Sequence, residues 1–204
     1  AALARFDGQP RDWLIVLSEE EKLLGFSRFN DDGRLEFPEI VKVQGEPQNL
    51  AVARLKADAP VSVLVVMKRD ADFFLLTLGI NQDGTGLTVL NEQPMPFDRR
   101  PPTSLILFDI DQDGRKDLIT PLVRDPARIF RHHEDGTFSE KAGDSGLRRS
   151  LFDDLDATRV GQGDVDDDGK PELIIAGTGF LRVVRLLPDG ELEILDQPNT
   201  RNSR

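Results

Sequence analysis

The sequence predicts an all-β chain built from repeated four-stranded antiparallel sheets. Two observations carry this expectation: a recurring Asp-Gly turn, and short apolar runs set in pairs before each turn. A third observation marks where the repeats hold chemistry. An acidic stretch is written twice, as "DIDQDGRKDLIT" at 109–120 and "DVDDDGKPELII" at 164–175.

The turn recurs as "NDDG" at 30–33, "NQDG" at 81–84, "EDG" at 134–136 and "PDG" at 188–190, so that Gly33, Gly84, Gly136 and Gly190 are spaced by 51, 52 and 54 residues. Asp-Gly between apolar runs is a strong hairpin signal, and the two-residue turn it predicts needs positive φ at both residues. The run just before each turn is "LLGFSRF" 23–29, "FFLLTLGI" 73–80, "ARIFRHH" 127–133 and "FLRVVRLL" 180–187. Before these lie "WLIVL" 13–17, "VSVLVVM" 61–67, "DLITPLV" 117–123 and "ELIIAG" 172–177. Such short runs, rich in Val, Ile, Leu and Phe and interrupted by polar breakers, read as strands rather than helices.

A first strand precedes each pair: "ALARF" 2–6, "LAVARL" 50–55, "LILFDI" 105–110 and "ATRVGQGDV" 157–165. The unit is four antiparallel strands, and the approximate repeats are 1–46, 47–101, 102–156 and 157–204. A four-stranded sheet repeated at this period predicts β-propeller blades. The sequence stops where a fifth first strand is due, which predicts about four blades of a larger propeller. A closed four-bladed ring is the alternative.

Composition narrows the function classes. A net charge of −11 argues against a sequence-independent grip on phosphate backbones, so no nucleic-acid partner is expected. The apolar runs are too short to span a bilayer, and no direct membrane insertion is expected. With no cysteine, disulfides and thiolate metal sites are excluded.

The two acidic stretches occupy the turn between the first and second strands of repeats three and four. Their carboxylates are Asp109, Asp111, Asp113 and Asp117, then Asp164, Asp166, Asp168 and Glu172, at loop positions 1, 3, 5 and 9 in both. Four carboxylates on so short a loop repel one another unless a cation lies among them. Ca²⁺ takes six to eight oxygen ligands in flexible geometry and suits such a loop better than Mg²⁺. The carbonyls of Arg115 and Lys170, at position 7, offer a further oxygen. An EF-hand would need a bidentate Glu at position 12 and a following helix. Position 12 is Thr120 or Ile175, inside an apolar strand segment. The corresponding loop of repeat two holds Arg54, Lys56, Asp58 and Ser62, and that of repeat one keeps only Asp7 and Asp12. Neither is expected to hold an ion.

These residues resemble the FG-GAP/VCBS repeats, the blades of integrin α-subunit-like β-propellers. The resemblance rests on "DIDQDGRKDLI", "DVDDDGKPELII" and the turns "EDGTF" 134–138 and "PDGEL" 188–192. It implies Ca²⁺ at two sites: side chains of Asp109, Asp111, Asp113 and Asp117 with the Arg115 carbonyl, and of Asp164, Asp166, Asp168 and Glu172 with the Lys170 carbonyl. It also implies a propeller that commonly closes with seven blades, the remaining blades coming from the same or another chain.

The expected function is therefore a non-enzymatic, calcium-stabilised recognition or scaffold module, binding a protein or glycan through its inter-blade loops. A secreted, periplasmic or cell-surface location follows from the modest Ca²⁺ affinity of extracellular modules. The alternatives are the propeller portion of a carbohydrate-active enzyme, a lyase or hydrolase, or a lectin. The single Trp and absent Tyr weigh against repeated aromatic sugar platforms. His132 and His133 are adjacent on a strand and predicted to face opposite sides. Trp13 is assigned to the core, "SEEEK" 18–22 to an exposed turn, and Asp153, Asp154 and Asp156 to a solvated connection. Arg99–Arg100 and Arg148–Arg149 are assigned to inter-blade connections.

Overall fold

In the computed structural model of the chain, the described residues are 1–123, 125, 127–141, 157–187 and 192–199. The "PDG" turn at 188–190, the acidic stretch with Asp153, Asp154 and Asp156, and Arg148–Arg149 lie outside them. The described chain is almost wholly β. Sixteen strands form four four-stranded sheets, each a simple antiparallel meander of consecutive strands. This is the make-up of propeller blades.

The first sheet is β1 (Ala2–Ala4), β2 (Trp13–Ser18), β3 (Leu23–Ser27) and β4 (Glu39–Ile40). The second is β5 (Glu46–Arg54), β6 (Val61–Arg69), β7 (Asp72–Ile80) and β8 (Leu87–Met95). The third is β9 (Ile106–Phe108), β10 (Asp117–Thr120), β11 (Arg128–His132) and β12 (Phe138–Glu140). The fourth is β13 (Val160–Gly163), β14 (Glu172–Gly177), β15 (Phe180–Leu186) and β16 (Leu192–Asp196).

The chain divides into two compact units. One comprises Ala1–Pro102 with Glu134–Thr137, the other Thr103–His133 with Phe138–Arg204. In the first unit the first two sheets share a core. Alternate residues of β6 (Val61, Val63, Val65 and Met67) meet Trp13, Ile15, Leu24 and Phe26 there. Trp13 stacks on Phe26 with ring centroids 4.7 Å apart and meets the edge of Phe6 at 5.3 Å, which confirms its core assignment. In the second unit, Ile106, Phe108, Ile119 and Ile129 of the third sheet pack with Leu173, Ile175 and Val184 of the fourth. The apolar runs that predicted strands thus supply these cores, and β6 and β10 are buried on both faces.

Several expectations are corrected in detail. The first strand of the third sheet stops at Phe108 rather than 110, because the Asp109 carboxylate captures loop N–H groups and draws the chain out of the ladder. β10 stops at Thr120 because Pro121 has no N–H to continue it. Ala157–Arg159 form a single 3₁₀ turn, and the strand expected from 157 begins at Val160. The stretch Ala-Thr-Arg lacks the apolar alternation that would pair it. The Asp-Gly turns also differ. Gly33, Gly84 and Gly136 have φ of 74°, 72° and 83°, but the preceding aspartates have no positive φ. In the first two turns the Gly N–H donates to Asn30 or Asn81 carbonyl oxygen, at 2.9 and 3.0 Å. The Asn side chain then accepts from Arg34 N–H, or from Thr85 and Gly86 N–H, so the left-handed step falls on glycine alone.

His132 is buried and stacked on Phe138 at 4.6 Å, whereas His133 is exposed, the opposite facing expected of neighbours on a strand. Residues 19–22 of "SEEEK" form an exposed turn. Among the described residues no helix is long and apolar enough to cross a membrane.

Candidate metal centres

The two acidic loops hang from their strands in the same register. Phe108 pairs with Asp117 across β9 and β10, and Gly163 pairs with Glu172 across β13 and β14. Their backbones repeat one unusual conformation. Gln112 and Asp167, at loop position 4, have φ of 61° and 59°, while Gly114 and Gly169, at position 6, have φ of 83° and 84°. A Cβ on either glycine would meet no atom within 4 Å, so the left-handed backbone rather than space demands glycine there. The importance of position 4 was not visible in the sequence, since Gln and Asp differ in charge. Asp is among the residues that reach this region at modest cost, whereas Gln is not, so Gln112 is held there by the loop.

Each loop folds around its own carboxylates. Asp109 accepts from the N–H groups of Asp113 (3.2 Å) and Gly114 (2.9 Å). Asp164 accepts from those of Asp168 (3.2 Å) and Gly169 (2.9 Å). At position 5, Asp113 takes the Arg115 N–H at 2.8 Å and Asp168 the Lys170 N–H at 2.9 Å. At position 9, Asp117 accepts from Ile110 N–H at 3.2 Å and Glu172 from Val165 N–H at 3.1 Å. Asp117 is 2% exposed and Glu172 0%, so these last carboxylates anchor the loop to the strand beneath. Burial pushes the Asp117 carboxyl above its usual value, against the opposing pull of the His132 N–H and the Arg131 guanidinium. A charge so placed calls for positive compensation.

Part of that compensation is a residue sequence reasoning missed. The β10–β11 pairing, with Leu118 opposite Phe130, sets Arg131 beside Asp117. The β14–β15 pairing, with Leu173 opposite Val184, sets Arg185 beside Glu172. Arg131 lies 2.6 Å from Asp117 and 3.1 Å from Asp111. Arg185 lies 2.6 Å from Asp166, 3.2 Å from Asp168 and 2.9 Å from Glu172, and hydrogen bonds to Glu172 and Asp166 raise its pKa. The signal was present: both arginines stand five residues before the glycine of the following Asp-Gly turn (Gly136 and Gly190). Arg28 occupies that place in the first repeat but turns to Glu36 and Glu39 and lies 5.6 Å from the Trp13 ring centroid.

The carboxylates converge differently in the two loops. Oxygens of Asp109, Asp111 and Asp113 lie within 4.8 Å of one another, as do those of Asp164, Asp166 and Glu172. Asp117 and Asp168 stand outside these triplets but share the arginine with them. Arg115 and Lys170 occupy position 7 as expected, next to the position-5 carboxylate through their N–H groups. Two oxygens on one Ca²⁺ at about 2.3–2.6 Å can be at most ~5.2 Å apart, so both triplets fall within reach of one ion. All the side-chain donors are hard oxygens. In the first loop, moreover, Asp111 Oδ1 is buried without a hydrogen-bond partner. A buried, unpaired carboxylate oxygen among other carboxylates is what a cation would satisfy. The residues present therefore fit Ca²⁺.

The loops of repeats one and two are built otherwise. Arg54, at the position of Asp109, donates to Asp7 through both terminal nitrogens, one at 2.9 Å, and to the Ala59 carbonyl at 2.7 Å. This guanidinium holds the Asp7 carboxyl below its ordinary value. Arg5 pairs with Asp12 at 3.2 Å. Ser62 replaces the position-9 carboxylate, and the β6–β7 register places Gly79 opposite it, so in that repeat anchor acid and arginine are both absent.

Comparison with known proteins agrees with the loops as the distinctive feature. Residues 109–175, which contain both loops, match the FG-GAP-like repeat. No curated protein sequence matches the chain. Among solved structures, a protein from Lactobacillus plantarum is similar over 93% of this chain and 52% of its own, with 12% identity and a TM-score of 0.54. At that identity the likeness bears on the fold alone. A rhamnogalacturonan lyase of Bacillus licheniformis aligns with 89% of this chain and 43% of its own, with 14% identity and a TM-score of 0.43. The Tc holotoxin pore of Photorhabdus luminescens aligns with 93% of this chain and 10% of its own, with 14% identity and a TM-score of 0.39. The chain thus spans about half the length or less of these structures.

Proposed function

We propose, from the FG-GAP-like repeat at residues 109–175 and the paired acidic loops within it, that this chain is a calcium-stabilised β-propeller module acting by binding rather than catalysis. Each loop would hold one Ca²⁺: Asp109, Asp111, Asp113 and Asp117 with the Arg115 carbonyl, and Asp164, Asp166, Asp168 and Glu172 with the Lys170 carbonyl. The ion supplies a compact double positive charge that cancels carboxylate repulsion and fixes the loop. The chain's own residues do the rest. Asp117 and Glu172 tie the loop to the strand, Asp109 and Asp164 hold its turn closed, and Gly114 and Gly169 permit it.

The observation that carries this reading is the convergence of three carboxylates in each of two loops with one backbone conformation. Loops fixed in this way present a rigid surface for a protein or glycan partner, with remaining blades supplied by the same or another chain. Affinities of extracellular modules, about 10⁻⁴–10⁻³ M, match the Ca²⁺ of a secreted, periplasmic or cell-surface setting. Calorimetric titration of chelator-stripped protein tests it. Two ions per chain are expected with dissociation constants in that range, and one in Asp113→Ala. A titration showing no calcium uptake by the native chain would end the reading.

A further inference from the structure

The third-strand arginines bear on how such loops take up an ion. In the loop at 164–172 both oxygens of Asp164, Asp166, Asp168 and Glu172 have partners. Asp164 is filled by two N–H groups, at 3.2 and 2.9 Å. One oxygen each of Asp166, Asp168 and Glu172 accepts a backbone N–H, at 3.3, 2.9 and 3.1 Å respectively. The other oxygen of each faces Arg185, at 2.6, 3.2 and 2.9 Å. In the loop at 109–117, Arg131 reaches Asp111 and Asp117, the Arg115 guanidinium lies 2.6 Å from the second oxygen of Asp113, and Asp111 Oδ1 stays buried and without a hydrogen-bond partner.

We propose that Arg185 is a tethered counter-ion that fills the loop at 164–172 in place of a divalent cation, so that an ion enters only by expelling its guanidinium. In the loop at 109–117, Arg131 and Arg115 leave Asp111 Oδ1 unfilled, and that loop takes its ion first. This rests on the calcium reading above and adds to it an internal competitor. A guanidinium on the next strand is present at high effective concentration, yet it brings one positive charge where Ca²⁺ brings two. The ion therefore wins at sufficient concentration, with its apparent affinity reduced by the fraction of loops in which the arginine has swung out. The same arginine stabilises the ion-free loop against repulsion among its own acids. In repeat two, where Ser62 stands in place of the acid, the facing position is Gly79.

The test uses the full chain carrying Asp113→Ala to silence the first loop, with and without Arg185→Gln, titrated calorimetrically with CaCl₂ at fixed ionic strength. Removing the competitor should tighten calcium binding about tenfold. In chelator the Arg185→Gln protein should melt below its parent, and saturating calcium should close that gap. Arg185→Lys, which keeps the charge but loses the fork, should fall between the two, and it carries the test if the Gln variant does not fold. Unchanged or weaker calcium binding in these variants would overturn the proposal while leaving the calcium reading intact. Uptake by Arg185→Gln but not by its parent would support displacement while removing calcium from the native loop. Uptake by neither would overturn both.

Discussion

Chelating calcium should lower the melting temperature of this protein substantially, and the loss should be traceable to two loops. An ligand that binds only the folded state stabilises it by RT ln(1 + [L]/Kd). With Kd near 10⁻⁴ M and about 2 mM free Ca²⁺, each site contributes ~1.8 kcal/mol, or ~3.6 for two. For a chain of this size that corresponds to a fall of roughly 7–14 °C. Asp113→Ala or Asp168→Ala should remove about half of the response, since each takes one central ligand from one loop. Asp58→Ala should leave it whole. Asp58 stands at the same loop position, but its loop holds Arg54, Lys56 and Ser62 where the others hold acids. Thermal melts of the four proteins with and without chelator read this directly. Equal behaviour of the Asp58 and Asp113 variants would mean that acidic turns, not ions, set the response.

The second large effect lies in the first unit and involves no ion. Trp13→Ala should destabilise it by ~3–5 kcal/mol, the cost of a large cavity among aromatic neighbours. The side chain is 2% exposed, lies flat against Phe26 and meets the edge of Phe6, so no neighbour can close the void without giving up its own packing. Leu90→Ala is the control. Leu90 is 61% exposed on the last strand of the second sheet, and its truncation should cost less than about 0.5 kcal/mol. Denaturant unfolding curves of both variants check the contrast, and equal midpoints would place Trp13 outside the core.

Much of this architecture was legible because its signals are local and repeated. The apolar runs and the glycines of the Asp-Gly turns place strands where the sheets have them. Strand ends were less legible, because local competitors set them: the Asp109 carboxylate ends β9, Pro121 ends β10, and Ala157–Arg159 turn before β13 begins. The acidic loops were legible as carboxylates at fixed offsets, since alternate residues share a side. Arg131 and Arg185 were not, because they reach the loops across a hairpin, 14 and 13 residues from the acids they meet. Only strand register makes them neighbours. Gln112 and Asp167 escaped for another reason: their role lies in a backbone angle that unlike side chains can share.

What occupies the two loops is open to direct observation. Crystals grown in millimolar CaCl₂ and measured for anomalous scattering should show two strong peaks, one within 109–117 and one within 164–172. Each should have oxygen ligands at about 2.3–2.6 Å. Loops that stay free of anomalous density, or that hold only water at longer distances, would contradict it.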